Sequence, residues 1–486
     1  MSNTNVGSGT PSWVSSLSTA SIRADMIAAD VNGTVTYSGL ETLLTDLDAT
    51  VKASKKGLTS AEYSDLKTIA ANLNNGMSTS SYLTSIMNAV VGKNAANGTW
   101  TGGAASPTTL GNLAVGSSAT QLSELIGKWF LGTDLPSSTV AMTGYSRFSV
   151  SYSASSSPLF GASGPNVNDV NQGYLGDCYL LSSLAEVASQ NPNLITSMVT
   201  SNGNNTYGIR FYVGGTAEYV TVNSSLANAG TIFNYGSDIW ASLAEKAYAQ
   251  LQAGGIVTGN SGKASDSWTA IGNGGAPECA LEEITGASQI TDFCAAGSSW
   301  YSFVYNSSLT ETSSASGLST SSVLSTLIAD LAKGDDLVLS SYTNATDKSG
   351  NVTLVADHAM SIYGYDSATG MLEIRNPWGT MKGQYWDTTF EVSLSTLLAD
   401  GDVITADNVG TKTVSAAPIV TTQTTTQTKS APSVTPATDA DAAFARFTQA
   451  MSSFAPSLET ISTGETKFDA GIESTLASPT HSFGHH

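Results

Sequence analysis

Few residues in this chain can do nucleophilic chemistry. The 486 residues include three cysteines and four histidines. Cys178 lies in NQGYLGDCYLL (171–181), where an apolar helical pattern begins, and Leu180, Leu181, Leu184, Val187 and Ala188 follow at near-helical spacing. Gly173 and Gly176, just ahead, permit a tight chain approach. A thiol at a helix N-terminus meets the positive end of the dipole and free N–H groups. These favour the thiolate and can hold an oxyanion on a bound carbonyl. Gln172 offers a side-chain amide to the same oxygen. The other reading of a lone thiol is a buried structural cysteine.

A thiolate nucleophile needs a base, itself oriented by a third group. His481, His485 and His486 fall at the very end of the chain, where order is not expected. That leaves His358, in NVTLVADHAMSIYGYD (351–366), a β-branched apolar stretch that reads as a buried strand. The next strand, MLEIRNPWG (371–379), follows a turn at 367–370, which predicts a hairpin. That pairing brings Asn376 beside His358, where its amide oxygen would fix the imidazole tautomer. Trp378 would shield the bond from water. A core histidine is the competing reading.

Cys, then His, then Asn is the chain order of papain-like proteases, and the local words are narrower. QGYLGDCYLL (172–181) resembles the calpain motif Q-G-x-L-G-D-C-W-L-L, and RNPWG (375–379) resembles the calpain R-N-P-W-G. DIWASLAEKAYAQL (238–251) is similar to the calpain W-x-x-L-L-E-K-A-Y-A-K-L, and PLFGASG (158–164) resembles the approach to the calpain active site. The resemblance covers about residues 155–410. It implies an α+β, papain-like core with a helical lobe at 156–262, a β-rich lobe at 263–412, and a cleft between them. It assigns Cys178 as nucleophile, His358 as base, Asn376 as orienting residue and Gln172 as oxyanion-hole donor. It places Gly176, Gly262, Asp357 and Trp378 along the substrate, and it aligns Asp169 and Glu245 with acidic calcium-binding positions.

Several residues depart from the family pattern. Tyr179 follows the cysteine where calpains have Trp, and Asp357 precedes the histidine where they usually have Gly. After NPWG, Lys382 stands where calpains carry Glu, and a cation there opposes calcium. Asp387 stands where the family has Asp. No cofactor is required on this reading. Calcium is possible, with its control weak or absent. By default Glu245 and Lys246 are a solvated helix face, with a structural ion pair or a calcium role second.

Outside that region the chain is less specific. Residues 1–92 read as a small all-α domain, with Thr59 and Ser78 as helix-start residues. Asp30, Asn32 and Glu41 fit a degenerate calcium loop or a plain turn. Residues 93–155 read as linker and lead-in, 413–440 as a Thr/Gln/Pro-rich disordered linker, and 441–486 as a helical tail. A net charge of −20 argues against nucleic-acid partners, and no stretch is apolar enough to span a membrane. The N-terminus lacks the form of a cleavable signal peptide, so the reading is export without one, with a cytoplasmic location as the alternative. Cys279 and Cys294 read as free thiols, with a disulfide the alternative on export. Together these features predict a calpain-like cysteine endopeptidase acting on protein or peptide substrates. The alternatives are a catalytically silent binding module on the same fold and an acyl transferase.

Overall fold

Apolar residues recurring every three or four positions make the N-terminal helices Ala20–Ala29, Tyr37–Ser54, Ser60–Asn72 and Ser81–Val91. The structure, a computed structural model, describes residues 10–142, 146–228, 232–253 and 267–411. Gly262, the linker at 413–440 and the tail at 441–486 lie outside the described residues. Thr59 starts its helix through a capping box with Glu62. The next helix is capped by Ser80 rather than Ser78. Ser78 is unavailable because its backbone is tied to Gly33 and Val35 across an isolated bridge. The stretch around Asp30 is a tight hairpin turn, with Asn32 and Gly33 both at positive φ (56° and 82°). Glu41 turns away from it to accept from Asn204 Nδ2 at 3.1 Å.

The apolar core of this region runs on from Val14 to Phe130. Leu110, Leu113, Leu122, Trp129 and Phe130, within the stretch read as linker and lead-in, share it. It docks on the hairpin Thr206–Val213/Thr216–Asn223. Tyr82 OH lies 2.8 Å from Thr221 Oγ1, and Thr221 Oγ1 donates to the Trp129 carbonyl at 2.6 Å. The hairpin's Ile209 and Phe211 point instead into the central core.

That central core surrounds the helix Cys178–Gln190. Every residue from Cys178 to Ala188 is buried, the mark of a helix enclosed on all sides. Helices Trp240–Ala253 and Pro277–Thr285 pack in the same cluster, which also takes in Val338, Ala359 and Val403 of the large sheet. The sheet has eight strands. Their spatial order is Glu311–Leu318, Ser299–Asn306, Gln289–Ala296, Val403–Ala406, Leu337–Ser341, His358–Asp366, Met371–Arg375 and Thr389–Val392, and every pairing is antiparallel. Its other face carries a second apolar cluster with Val323 and Leu327 of the helix Thr320–Lys333. Helices and strands together make an α+β chain.

The expected hairpin forms, with Asp366 opposite Met371. The strand before the turn begins at His358, however, not at Asn351. Asp357 has φ of 55°, and a left-handed residue cannot extend a strand. Among the described residues no helix is long and apolar enough to cross a membrane.

Candidate active site

Two elements meet at the site: the N-terminus of the Cys178 helix and the first residues of the His358 strand. Ala359, next to His358, directs its backbone N–H at the Cys178 thiol. Further along, Ser361 Oγ donates to the Ser182 carbonyl at 2.9 Å, fixing the slide of helix against strand. The hairpin then returns Asn376 to the histidine. His358 Nε2 and Asn376 Oδ1 are 3.0 Å apart, and Trp378 N–H donates to the same Oδ1 at 3.0 Å. An amide N–H can only donate, so the shared atom is an acceptor and His358 Nε2 carries the hydrogen. His358 Nδ1 therefore keeps its lone pair. The Trp378 ring lies 4.9 Å from the imidazole, centroid to centroid.

A second set of bonds locks the two sequence words together. Gln172 N–H donates to the Pro377 carbonyl at 2.8 Å, and Tyr235 OH donates to the Trp378 carbonyl at 3.1 Å. Gly379 sits at φ 65°, and a Cβ there would come within 1.9 Å of Asn171 Oδ1. The turn is thus closed by contact with the residue just before Gln172.

The electrostatics differ from the sequence expectation. Cys178 is 2% exposed, His358 2%, Gln172 3% and Asn376 0%. Burial pushes the Cys178 thiol up to about 12, against opposing N–H groups of Ala359 and the helix start. Burial also drives His358 down to about 4, although the Asn376 bond opposes it. Desolvation therefore outweighs the helix dipole, and the resting pair is neutral thiol and neutral imidazole. The Gln172 amide donates to the Leu175 carbonyl at 2.8 Å, and its other contact, Asp177 Oδ1, is a long 3.5 Å. One of its two hydrogens is thus weakly held.

Of the other expected residues, Gly176 is buried and its carbonyl accepts from Gly274 N–H at 2.9 Å. Asp357 is half-buried just before the histidine. Tyr179, replacing Trp, packs edge-on to Tyr248 at 6.3 Å. Cys279 and Cys294 are buried free thiols.

A family model for the calpain family cysteine proteases matches residues 149–393. The chain belongs to that family. A search of curated proteins finds no match. The matched region contains the Cys178 helix, the His358 strand and Asn376, so a cysteine protease domain of the calpain family carries the geometry above.

Asp169 and Glu245, the residues aligned with calpain calcium positions, each accept hydrogen bonds from donors within the protein. Both Asp169 oxygens accept from N–H donors: Asn166 N and Nδ2, and Trp240 Nε1 at 2.7 Å. Glu245 Oε2 accepts from Asn234 N–H at 3.1 Å, and Asp177 lies against it. No group of three or more acidic, His or Cys side chains suited to a metal occurs among the described residues. Lys382 is exposed, and Asp387 Oδ1 accepts from Asn351 Nδ2 at 3.0 Å.

Glu245 and Lys246 correct the expectation of a solvated face. Each is 1% exposed, and Lys246 Nζ binds the Asn223 and Ser225 carbonyls instead of a carboxylate. Burial drives that lysine down to about 7. The sequence reading also missed Asp177, which is fully buried and lies against Glu245. Burial, the largest cause, pushes both carboxyls upward. Two acids 68 positions apart gave no signal that they would meet.

Proposed function

We propose that the chain is a cysteine endopeptidase with a papain-like two-lobed core, and that Cys178, His358, Asn376 and Gln172 carry its chemistry. The observation behind this reading is the His358–Asn376 bond at 3.0 Å, set beside the Cys178 helix start by the Ala359 N–H. It leaves His358 Nδ1 as the base, as a thiol nucleophile needs. In the first step Nδ1 takes the Cys178 proton and sulfur attacks the peptide carbonyl. The carbonyl π-electrons move to oxygen, where the Cys178 N–H and the weakly held Gln172 hydrogen stabilise them. The imidazolium then protonates the leaving amine, the C–N bond breaks, and a thioester remains. Water, deprotonated by His358, attacks the thioester and releases acid and thiol.

Asn376 accepts from the imidazole throughout and keeps Nδ1 aimed at sulfur. Trp378 covers that bond. Substrate binding must open a path to Cys178, since the thiol is buried at rest. That same burial favours a second reading, a calpain-fold binding module that does not turn over.

A casein or fluorogenic-peptide assay of wild type and Cys178→Ala, each with calcium and with chelator, separates the two. Activity in wild type, abolished in the variant and indifferent to chelator, supports a protease without calcium control. Loss of activity on chelation would overturn the reading of Asp169 and Glu245. No activity in any condition, with no labelling of Cys178 by an epoxysuccinyl thiol probe, leaves the binding module.

A further inference from the structure

The end of the Cys178 helix farthest from the thiol is tied to the sheet by carboxyl groups. Asn191, at the helix C-terminus, gives its Nδ2 to the Gly334 carbonyl at 2.7 Å and to both oxygens of Asp336 at 3.3 and 3.2 Å. Asp336 immediately precedes the strand Leu337–Ser341, whose other end, Ser341, lies opposite His358. Asp407 immediately follows the strand Val403–Ala406. The two acids clasp each other through backbone as well. Asp336 N–H donates to Asp407 Oδ1 at 2.8 Å, and Asp407 N–H donates to the Asp336 carbonyl at 3.1 Å.

Their carboxyl groups face each other in the same enclosure. Asp336 is 0% exposed and Asp407 5%. Asp407 Oδ2 is buried, and no N–H or hydroxyl donor reaches it among the described residues. Two buried carboxylates side by side repel when both are ionised, so this enclosure favours one proton between them.

The charges around the pair do not help ionisation. From the Cys178 helix, Glu186 faces Asp336 with a further negative charge. From the connecting loop, Asp335 adds its charge to Asp407. A cation next to this cluster is Lys333, at the end of the helix Thr320–Lys333. It is half-exposed and engaged with Asp330 at 2.7 Å and Asp335 at 3.7 Å. Burial, the largest cause, pushes both carboxyls upward from the ordinary carboxylate range, against hydrogen bonds from Asn191 to Asp336 and from the Asp336 and Val409 N–H groups to Asp407.

We infer that Asp336 and Asp407 form a proton-sharing latch that pins the far end of the Cys178 helix to the sheet bearing His358, and that removing its one proton releases that end. The helix spans 13 residues, so the latch lies about 20 Å from the thiol. Ala359 at the thiol, Ser361–Ser182 midway and Asn191–Asp336 at the end form three ties along one helix–sheet contact. Asp336 and Asp407 are positioning residues on this view. The inference rests on the protease reading only for its activity readout.

The folded state holds a proton here that the unfolded chain gives up above the ordinary carboxylate range. Stability therefore falls as pH rises. One proton changes the unfolding equilibrium constant tenfold per pH unit within that window. Other buried carboxyl pairs, Glu278 with Asp292 among them, slope the same way, so the test is a difference.

The experiment is urea unfolding of the full chain from pH 4.5 to 8, wild type against Asp336→Asn. The amide can still accept from Asn191 and can donate to Asp407 Oδ2 without a proton. The expected result is a ratio of unfolding constants, wild type over variant, that climbs toward tenfold per pH unit. Parallel curves would overturn the latch. Should Asp336→Asn fail to fold, Asp407→Asn removes the same proton requirement. Infrared spectra of folded wild type near neutral pH should contain a protonated-carboxyl band that weakens in whichever variant folds, and an unchanged band would also overturn the latch. In the peptidase assay the variant should hold its kcat to higher pH with KM unchanged. If no variant hydrolyses peptide, the protease reading fails while the unfolding comparison still decides the latch.

Discussion

Asn376→Ala tests the geometry at its centre. The Asn376 oxygen accepts two buried hydrogen bonds, from His358 Nε2 and from Trp378 N–H, each 3.0 Å long. Truncation removes both and orphans two donors in a site that is 0% exposed at this residue. An orphaned buried donor costs about 1–3 kcal/mol, so the variant should lose about 2–6 kcal/mol. That is a large part of the roughly 5–15 kcal/mol that holds a domain together. Urea unfolding at fixed pH reads the loss as a lower midpoint with unchanged slope. Catalysis should suffer separately, because a free imidazole can turn Nδ1 away from sulfur. We expect kcat to fall by about 10²–10⁴, the usual worth of positioned acid–base catalysis, with KM little changed because Asn376 does not touch substrate. A stability change under about 0.5 kcal/mol, a typical bound for neutral surface changes, would refute the buried double acceptor. Normal stability with normal kcat would refute the triad.

Three further outcomes follow from the same site. Gly379→Ala places a methyl against Asn171 Oδ1 at a φ of 65°; it should destabilise by about 1–3 kcal/mol and lower kcat, and a neutral effect would mean that the turn is not held as described. With Cys178 pushed up to about 12 and His358 down to about 4, iodoacetamide should label native Cys178 more slowly at pH 7 than the unfolded chain, and faster labelling would reveal a thiolate–imidazolium pair instead. The same buried histidine should lose stability as pH falls from about 6.5 to about 4, because only the unfolded chain then gains its proton. The loss amounts to about 3 kcal/mol and is read as the difference between wild type and His358→Gln.

The site was legible because its parts sit in short contiguous words. A cysteine opening an apolar helix and a histidine followed by a two-strand hairpin with Asn376 just past its end are local patterns, and local hydrogen bonds realise them. The strand start was misread because apolar, β-branched residues from Val352 to Val355 look continuous with the strand. Only the left-handed Asp357 interrupts it. Strands Gln289–Ala296 and Ser299–Asn306 went unassigned, since Asp292 and two serines dilute their pattern. Asp292 is nonetheless buried, with Thr405 as its donor at 2.7 Å, a partner more than a hundred positions away.

Charge state follows the same division, more sharply. The helix N-terminus at Cys178 is a local feature and argues for a thiolate. Burial is set by distant segments, and it wins: the thiol and imidazole are both held neutral. Ionising Cys178 by His358 in that enclosure would create an ion pair where desolvation costs several kcal/mol per ion. The reaction therefore depends on whatever brings polar groups to the site. A bound peptide carbonyl turning into an oxyanion beside Gln172 and the helix N–H groups changes the field that the pair feels. Proton transfer and attack are then best made together, after substrate has entered, rather than from a preformed ion pair. A rate that follows the free-enzyme thiolate fraction would contradict this order. A rate nearly flat across neutral pH, despite a thiol near 12, is what it requires.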